Sequence, residues 1–239
     1  MSPGLRIGVF GGAFDPPHLA HLALARLAVE QLQLDELLVF PTGQAWHKSR
    51  PLSAADHRLA MTRLAFADVP KAHVDDRELR REGPTYTIDT LEALQVQAPN
   101  CALFLVIGSD QAEALSRWHR WTAILKIATI CVAVRAQQES ATSRFGLKTL
   151  SAGTVQDARG PDPLPASLPD GLSDSLAALP DSLASLRSAL GRFEWLRLPP
   201  MAMSATGIRQ RVAAGEAIDD LVTEPVARYI ALHHLYLPD

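Results

Sequence analysis

An open parallel α/β sheet covered by helices on both faces is the fold the sequence predicts, and three observations predict it. Short apolar runs of strand length alternate with longer helix-compatible segments along most of the chain. Polar loops bearing glycine or proline follow the ends of those runs. The chemically suggestive residues Gly11, His18, Lys48, Asp110 and Arg135 all fall just after predicted strands. That is the edge on which open parallel sheets bind their ligands.

The elements follow in order. Leu5 to Phe10 is an apolar strand that breaks at Gly11-Gly12. Pro16-Pro17 then leads into His18 and a helix over Leu19 to Leu34, with Leu22, Ala25, Leu27, Val29 and Leu32 in helical spacing. Glu36 to Phe40 is a second strand, and Pro41-Thr42-Gly43 opens a loop carrying Trp46-His47-Lys48. Ser53, with Asp56 three residues on, reads as the N-cap of a helix reaching about Phe66. Ala72 to Asp75 is a short strand, Asp76 to Pro84 a charged loop, and Thr87 a helix start with Leu91 and Leu94 inward. Ala102 to Ile107 is a strand closed by Gly108-Ser-Asp110. Two short helices containing Leu115, Trp118, Trp121 and Leu125 follow, then a strand from Ala128 to Val134 that ends at Arg135. Glu194 to Leu198 resumes the strands, with helices over Gly207 to Ala214 and Glu224 to Leu235.

The segment from about 136 to 191 breaks this pattern. It carries Pro161, Pro163, Pro165, Pro169 and Pro180 in near-repeats such as Leu-Pro-Asp-Gly-Leu and Leu-Pro-Asp-Ser-Leu. It reads as a variable Pro-rich insertion away from the chemistry, with a lid or an oligomer contact as the alternative. The expectation is one domain over 1–239 containing that insertion.

Composition bounds the function classes. Hydrophobic residues make up 47% of the 239 residues, as in a globular chain. A net charge of -3 gives no general attraction to nucleic acid, so any phosphate site must be local. Cys101 and Cys131 lie in or beside apolar runs and read as buried free thiols. Two cysteines cannot alone build a zinc site, and no cluster of carboxylates suggests a resident metal. With no basic-then-apolar leader after Met1 and no run long enough to span a bilayer, a soluble cytoplasmic protein is expected.

Two motifs carry chemistry. The first is G-G-x-F-D-P-x-H-x-x-H over Gly11 to His21. Glycines let backbone amides approach an oxyanion, a helix start points its unpaired N–H groups at the same place, and His18 and His21 add two donors. The plain alternative is a turn followed by two surface histidines. The second is Ser204-Ala-Thr206-Gly-Ile-Arg209, in which two helix-capping hydroxyls and an arginine one turn in can face an anion. The plain alternative there is an N-cap and a solvated arginine. His47-Lys48 adds a cation in the loop after the second strand. No Ser, Cys or Lys is set beside a base as a nucleophile.

The first stretch resembles the signature of the nucleotidyltransferases that share an HxGH motif with class I aminoacyl-tRNA synthetases, with Ala20 in the glycine position. Ser204 to Arg209 resembles the S-[ST]-T-x-I-R motif of the same superfamily, and His47-Lys48 its P-P-H-[KR] loop with Trp46 in place of the second proline. Thr85-Tyr86-Thr87, Gly108-Ser-Asp110 and Trp118 look like the Y-T-x-x-T-L, G-x-D and L-x-x-W elements of bacterial nicotinate-nucleotide adenylyltransferases. The resemblance covers almost all of the chain outside the insertion. It implies a Rossmann-like sheet of nucleotidyltransferase type that joins ATP and nicotinate mononucleotide into deamido-NAD and pyrophosphate, with Mg²⁺ carried on the ATP. It implies that His18, His21, Lys48 and Arg209 stabilise the transferring phosphates, and that Phe10, Gly11, Gly12, Ser204 and Thr206 hold ATP. Thr87, Asp110, Trp118 and Arg135 would hold the mononucleotide. Neither nucleic acid nor a membrane is an implied partner, and a homo-oligomer is compatible with it. The rivals are a nicotinamide mononucleotide or phosphopantetheine adenylyltransferase and a nucleotide-binding regulator without turnover.

Overall fold

The computed structural model describes residues 4–43, 52–135, 193–199 and 201–238, with the backbone alone at 134 and 135. His47-Lys48 and the insertion at 136–191 lie outside the described residues.

Strand β1 (Arg6–Gly12) leads through α1 (Leu19–Gln31) to β2 (Glu36–Pro41), and α2 (Ala55–Phe66) leads to β3 (Ala72–Val74). The chain then passes α3 (Arg77–Arg80) and α4 (Thr87–Gln97) to β4 (Ala102–Gly108). After β4 come α5 (Ser109–Glu113), a 3₁₀ turn (Leu115–Arg117), α6 (Trp121–Ile127) and β5 (Ala128–Arg135). The last described elements are β6 (Phe193–Leu198), α7 (Ala205–Ala213) and α8 (Glu224–Leu232).

The six strands among the described residues form one sheet in the order β3-β2-β1-β4-β5-β6, every neighbouring pair parallel. One rung runs Leu38, Val9, Leu105, Ile130, Phe193 across five strands. These side chains share one core with Ile88 and Leu91 of α4 and Ile124 of α6. Alternation along a strand sends the next residues to the opposite face. There Val39, Phe10, Val106 and Cys131 pack with Leu22 and Ala25 of α1, Phe66 of α2, Ile208 of α7 and Ile230 of α8. Both faces are therefore covered, which is why the inner strands β2 and β4 are near-continuous apolar runs, whereas the edge strand β6 is interrupted by exposed Glu194 and Arg197. The order reverses between β1 and β4. Connections leave those two strands toward opposite sides and open a crevice at their C-terminal ends.

Several boundaries differ from the sequence reading. Helix α1 stops at Gln31 because Gln33 takes a positive φ of 48° and turns the chain. Helix α2 has Ala54, not Ser53, at its N-cap. The Ser53 N–H instead donates to Asp15 Oδ2 and its carbonyl accepts from Arg58 Nε. A buried arginine needs acceptors more than the helix needs a side-chain cap. The charged stretch after β3 is not all loop but holds α3. Helix α7 begins at Ala205, two residues before the expected start. Helix α8 ends at Leu232, because His234 and Tyr236 take positive φ values of 50° and 65°. Cys101 and Cys131 are free, and burial pushes the Cys131 thiol up. No helix among the described residues is long and apolar enough to cross a membrane.

Candidate functional site

At the β1/β4 crevice lies a cavity of about 410 Å³. One wall comes from the end of β1, the start of α1 and the start of α7; the other from the starts of α4 and α5 and from Trp118-His119.

The first wall begins at Gly11-Gly12. A Cβ at Gly12 would lie 2.8 Å from the Phe14 ring, so packing demands that glycine. A Cβ at Gly11 would meet nothing within 4 Å and would project into open space at the cavity. The Phe10 ring is core, edge-on to Phe14 and Phe66, so what it can offer a ligand is main chain. Phe14 has a positive φ of 48°, a conformation unfavourable for a bulky residue. Its ring is fixed edge-on to Phe66 and His21, at 5.5 and 5.1 Å between centroids.

His18 is the N-cap residue of α1 rather than part of its first turn. Its ring stacks on His21 with centroids 3.7 Å apart and planes 21° off parallel. The His18 N–H donates to His21 Nδ1 at 3.1 Å. That bond makes Nδ1 an acceptor, which in the neutral ring leaves the proton on Nε2. The first amides of α1 are less open than the motif suggests. The Leu19 N–H donates to the Leu221 carbonyl and the Ala20 N–H to Met203 Sδ. The imidazoles are thus the donors most clearly presented on this wall.

Ser204 caps α7, its Oγ accepting from the Gly207 N–H at 3.1 Å, and lies in the cavity wall. Thr206 and Arg209 sit beside the cavity rather than in its wall. Arg209 Nη2 donates to Thr206 Oγ1 at 3.0 Å and Nη1 to the Asp15 carbonyl at 2.6 Å.

On the opposite wall Thr87 opens α4, and the Tyr86 ring before it lies 4.2 Å from the ring of His119. Trp118 is half-buried against the α4 and α6 core and reaches the cavity. Arg120 takes a positive φ of 50° and grips Glu92 of α4 with two hydrogen bonds of 3.1 and 2.7 Å. That clamp holds Trp118-His119 over the start of α4. Asp110 lies in the first turn of α5, exposed at the cavity. A Cβ at Gly108 would come 2.7 Å from Asp110 Oδ1, so a larger residue there would displace that carboxylate. Arg135 ends β5, paired with Leu198; its side chain is among those not described. Lys48 lies outside the described residues.

The structure thus brings Phe10, Gly11, Gly12, His18, His21, Thr87, Asp110, Trp118 and Ser204 to one cavity, with Thr206 and Arg209 just outside it. Four residues escaped the sequence reading. Glu78 lines the cavity, its carboxyl accepting from Thr90 Oγ1 at 2.7 Å. Burial pushes its pKa up to about 7, against the opposing pull of Thr90 and Arg81. Asp15, only 2% exposed, accepts from Tyr236 Oη at 2.8 Å and from the Ser53 N–H at 3.2 Å. Arg58, 3% exposed, donates to the carbonyls of Ala13, Thr42 and Ser53. Burial lowers the Arg58 pKa and the neighbouring Asp15 charge raises it. Burial and then Asp15 push the Tyr236 hydroxyl up. The D of the F-D-P turn was a signal for Asp15; no motif or spacing in the sequence singles out the other three.

Among the described residues no group of three or more His, Cys, Asp or Glu side chains could hold a metal ion.

Residues 9–211 match the family model described as Cytidylyltransferase-like. A relative from Albidiferax ferrireducens, named as a probable nicotinate-nucleotide adenylyltransferase, is 48% identical over 97% of this chain and 98% of its own. One of the same name from Methylibium petroleiphilum is 39% identical over 99% and 95%. Among solved structures, the nicotinic acid mononucleotide adenylyltransferase of Plasmodium falciparum complexed with NaAD aligns with a TM-score of 0.66 over 97% of each chain. At 16% identity that is a likeness of fold.

Proposed function

This chain belongs to the nicotinate-nucleotide adenylyltransferase family, and from that membership we infer that it transfers the adenylyl group of ATP to nicotinate mononucleotide, forming deamido-NAD and pyrophosphate. The 5′-phosphate oxygen of the mononucleotide attacks the α-phosphorus in line, and the bond to the pyrophosphate oxygen breaks. Such a transfer asks the protein for alignment and charge stabilisation rather than for a covalent nucleophile. ATP lies along the first wall, over the Gly11-Gly12 main chain and the Phe10 backbone, with Ser204 and Thr206 at the start of α7. His18 and His21 donate to its phosphates. Arg209 and Lys48 neutralise the β- and γ-phosphates as charge grows on the leaving group. Mg²⁺ would be carried on the triphosphate of the substrate, where it would neutralise phosphate charge.

The mononucleotide lies along the second wall. Trp118 stacks on its pyridine ring, and Thr87 and the first amides of α4 receive its carboxylate. Asp110 and Arg135 hold its ribose and phosphate. A carboxylate only accepts, whereas an amide would turn an NH₂ toward those donors and leave hydrogen bonds unmade. The enzyme therefore prefers nicotinate to nicotinamide. It acts as one domain over 1–239 with an insertion at about 136–191, in the cytoplasm, as a monomer or homo-oligomer, on small molecules and not on nucleic acid or membranes.

The observation that carries this reading is the stacked His18–His21 pair, its tautomer set by the His18 N–H, facing a cavity whose other wall holds Trp118. Pyrophosphate release from MgATP with each mononucleotide tests it. Release with nicotinate mononucleotide is expected. Release only with nicotinamide mononucleotide or phosphopantetheine would replace the substrate, and release with none would make the protein a nucleotide-binding regulator.

A further inference from the structure

A buried polar cluster behind the first wall joins the contacts just assigned only through Arg209. Tyr236 lies beyond the end of α8, and its hydroxyl donates to Asp15 Oδ1 at 2.8 Å across 221 positions of sequence. The other oxygen of that carboxylate takes the Ser53 N–H at 3.2 Å, and the Asp15 carbonyl takes Arg209 Nη1 at 2.6 Å. Asp15 is therefore the point at which the tail, the segment before α2, and α7 all meet the turn that presents His18. Arg58 closes the same cluster from α2, bonding Ala13 of that turn and Thr42 after β2. Both ionised groups are almost fully buried, so each depends on these partners to remain there.

We propose that Tyr236 is a positioning residue for adenylyl transfer, holding the Asp15 carboxylate so that the 13–18 turn sets His18 over His21 and the Asp15 carbonyl holds the Arg209 guanidinium in place. The proposal rests on the reading of this site as an adenylyltransferase centre. Its physical content is that a buried carboxylate losing one of its donors moves toward another. The Asp15 carbonyl and the turn move with it. Misplacement well under an ångström at groups aligned on phosphates costs rate, whereas the second wall shares none of these bonds.

Tyr236→Phe keeps the ring and removes the hydroxyl. The expected result is a kcat about tenfold lower with the KM for nicotinate mononucleotide unchanged. Asp15→Asn, which turns an amide NH₂ toward one of the two donors, gives the same split, and it serves if the first variant does not fold. Removal of residues 237–239, which leaves Tyr236 in place, leaves kcat unchanged. A Tyr236→Phe enzyme with a lower melting temperature but wild-type kcat overturns the proposal, as does an equal loss of rate on removing 237–239. The wild-type rate tests the activity itself. If that is absent, calorimetry of MgATP on Tyr236→Phe still decides: weaker binding supports the brace and equal binding overturns it.

Discussion

The wall that carries His18 and His21 is tied together by bonds spanning 194 and 221 positions, Arg209 to Asp15 and Tyr236 to Asp15. The wall that carries Trp118 is tied within one stretch: Thr90 to Glu78 across 12 positions, Arg120 to Glu92 across 28, and Tyr86 against His119. The first wall therefore exists only once β1, α2, α7 and the tail have all docked. The second can form from a continuous run of chain, at a smaller cost in loop closure. The difference assigns labour as well as origin. Under the proposed function, the groups aligned on phosphates are braced by buried polar bonds of long sequence range, while the face for a flat ring is held by short-range ones: a buried Thr90–Glu78 bond, aromatic contact and a surface clamp. Damage on one side should not register on the other.

The sharpest way to break that division is at the stacked imidazoles. His18→Ala and His21→Ala should each lower kcat by about 10²–10³-fold, the scale for losing one preorganised donor to transition-state charge. The KM for the mononucleotide should stay near wild type. Steady-state pyrophosphate release measures both, and near-normal turnover in the two variants would sink the role given to this wall.

Glu78 tests whether the second wall carries a buried charge. Its pKa rises from 4.5 in the exposed chain to about 7 in the folded protein, chiefly through burial. Between those values the folded state binds the proton more tightly than the unfolded state does. This group's contribution to stability is therefore greatest at low pH, falls as pH rises through that window, and is flat above it. The fall is about 3 kcal/mol at most, at 1.36 kcal/mol per pKa unit. Glu78→Gln keeps an acceptor for Thr90 and removes the titration. Urea melts from pH 5 to 8 should show the variant gaining on the wild type as pH rises. Parallel curves would mean that Glu78 is ionised throughout.

Trp118 gives the mildest effect and the most direct comparison of the walls. Trp118→Ala should weaken nicotinate mononucleotide by about 1–3 kcal/mol, the scale of base–aromatic stacking, with MgATP affinity unchanged. Calorimetry of both ligands reads this, and an equal loss for MgATP would make Trp118 simply core.

Much of the second wall is legible in the amino-acid sequence. Thr87 opens a helix and Asp110 follows a strand end, and in a parallel sheet every strand ends on the same edge, so local punctuation foretells convergence; Trp118 instead sits between a 3₁₀ turn and α6 rather than at the helix start the sequence suggests. The same logic places Gly11, His18, His21 and Ser204 at the cavity. It fails where a polar residue points inward. Ser53 reads as a helix cap because its spacing to Asp56 fits one, yet its backbone serves Asp15 and Arg58.

The class of sheet, the identity of its strands and the motifs on its ligand edge all follow from the order of residues alone. They depend on hydrophobic period and turn chemistry, which are local. Which charged residues are buried is settled only when the chain has folded. Arg58 sits in a helix that shows one acid in its first turn, and Tyr236 in a tail past the last helix. Nothing within a few positions of either marks it as interior. An ionised or hydroxyl group can be buried only if hydrogen-bond partners arrive with it. For these two the Ser53 carbonyl lies beside Arg58, but the partners from Ala13, Thr42 and Asp15 lie between 16 and 221 positions away and are delivered only when the sheet has closed and both helices have docked.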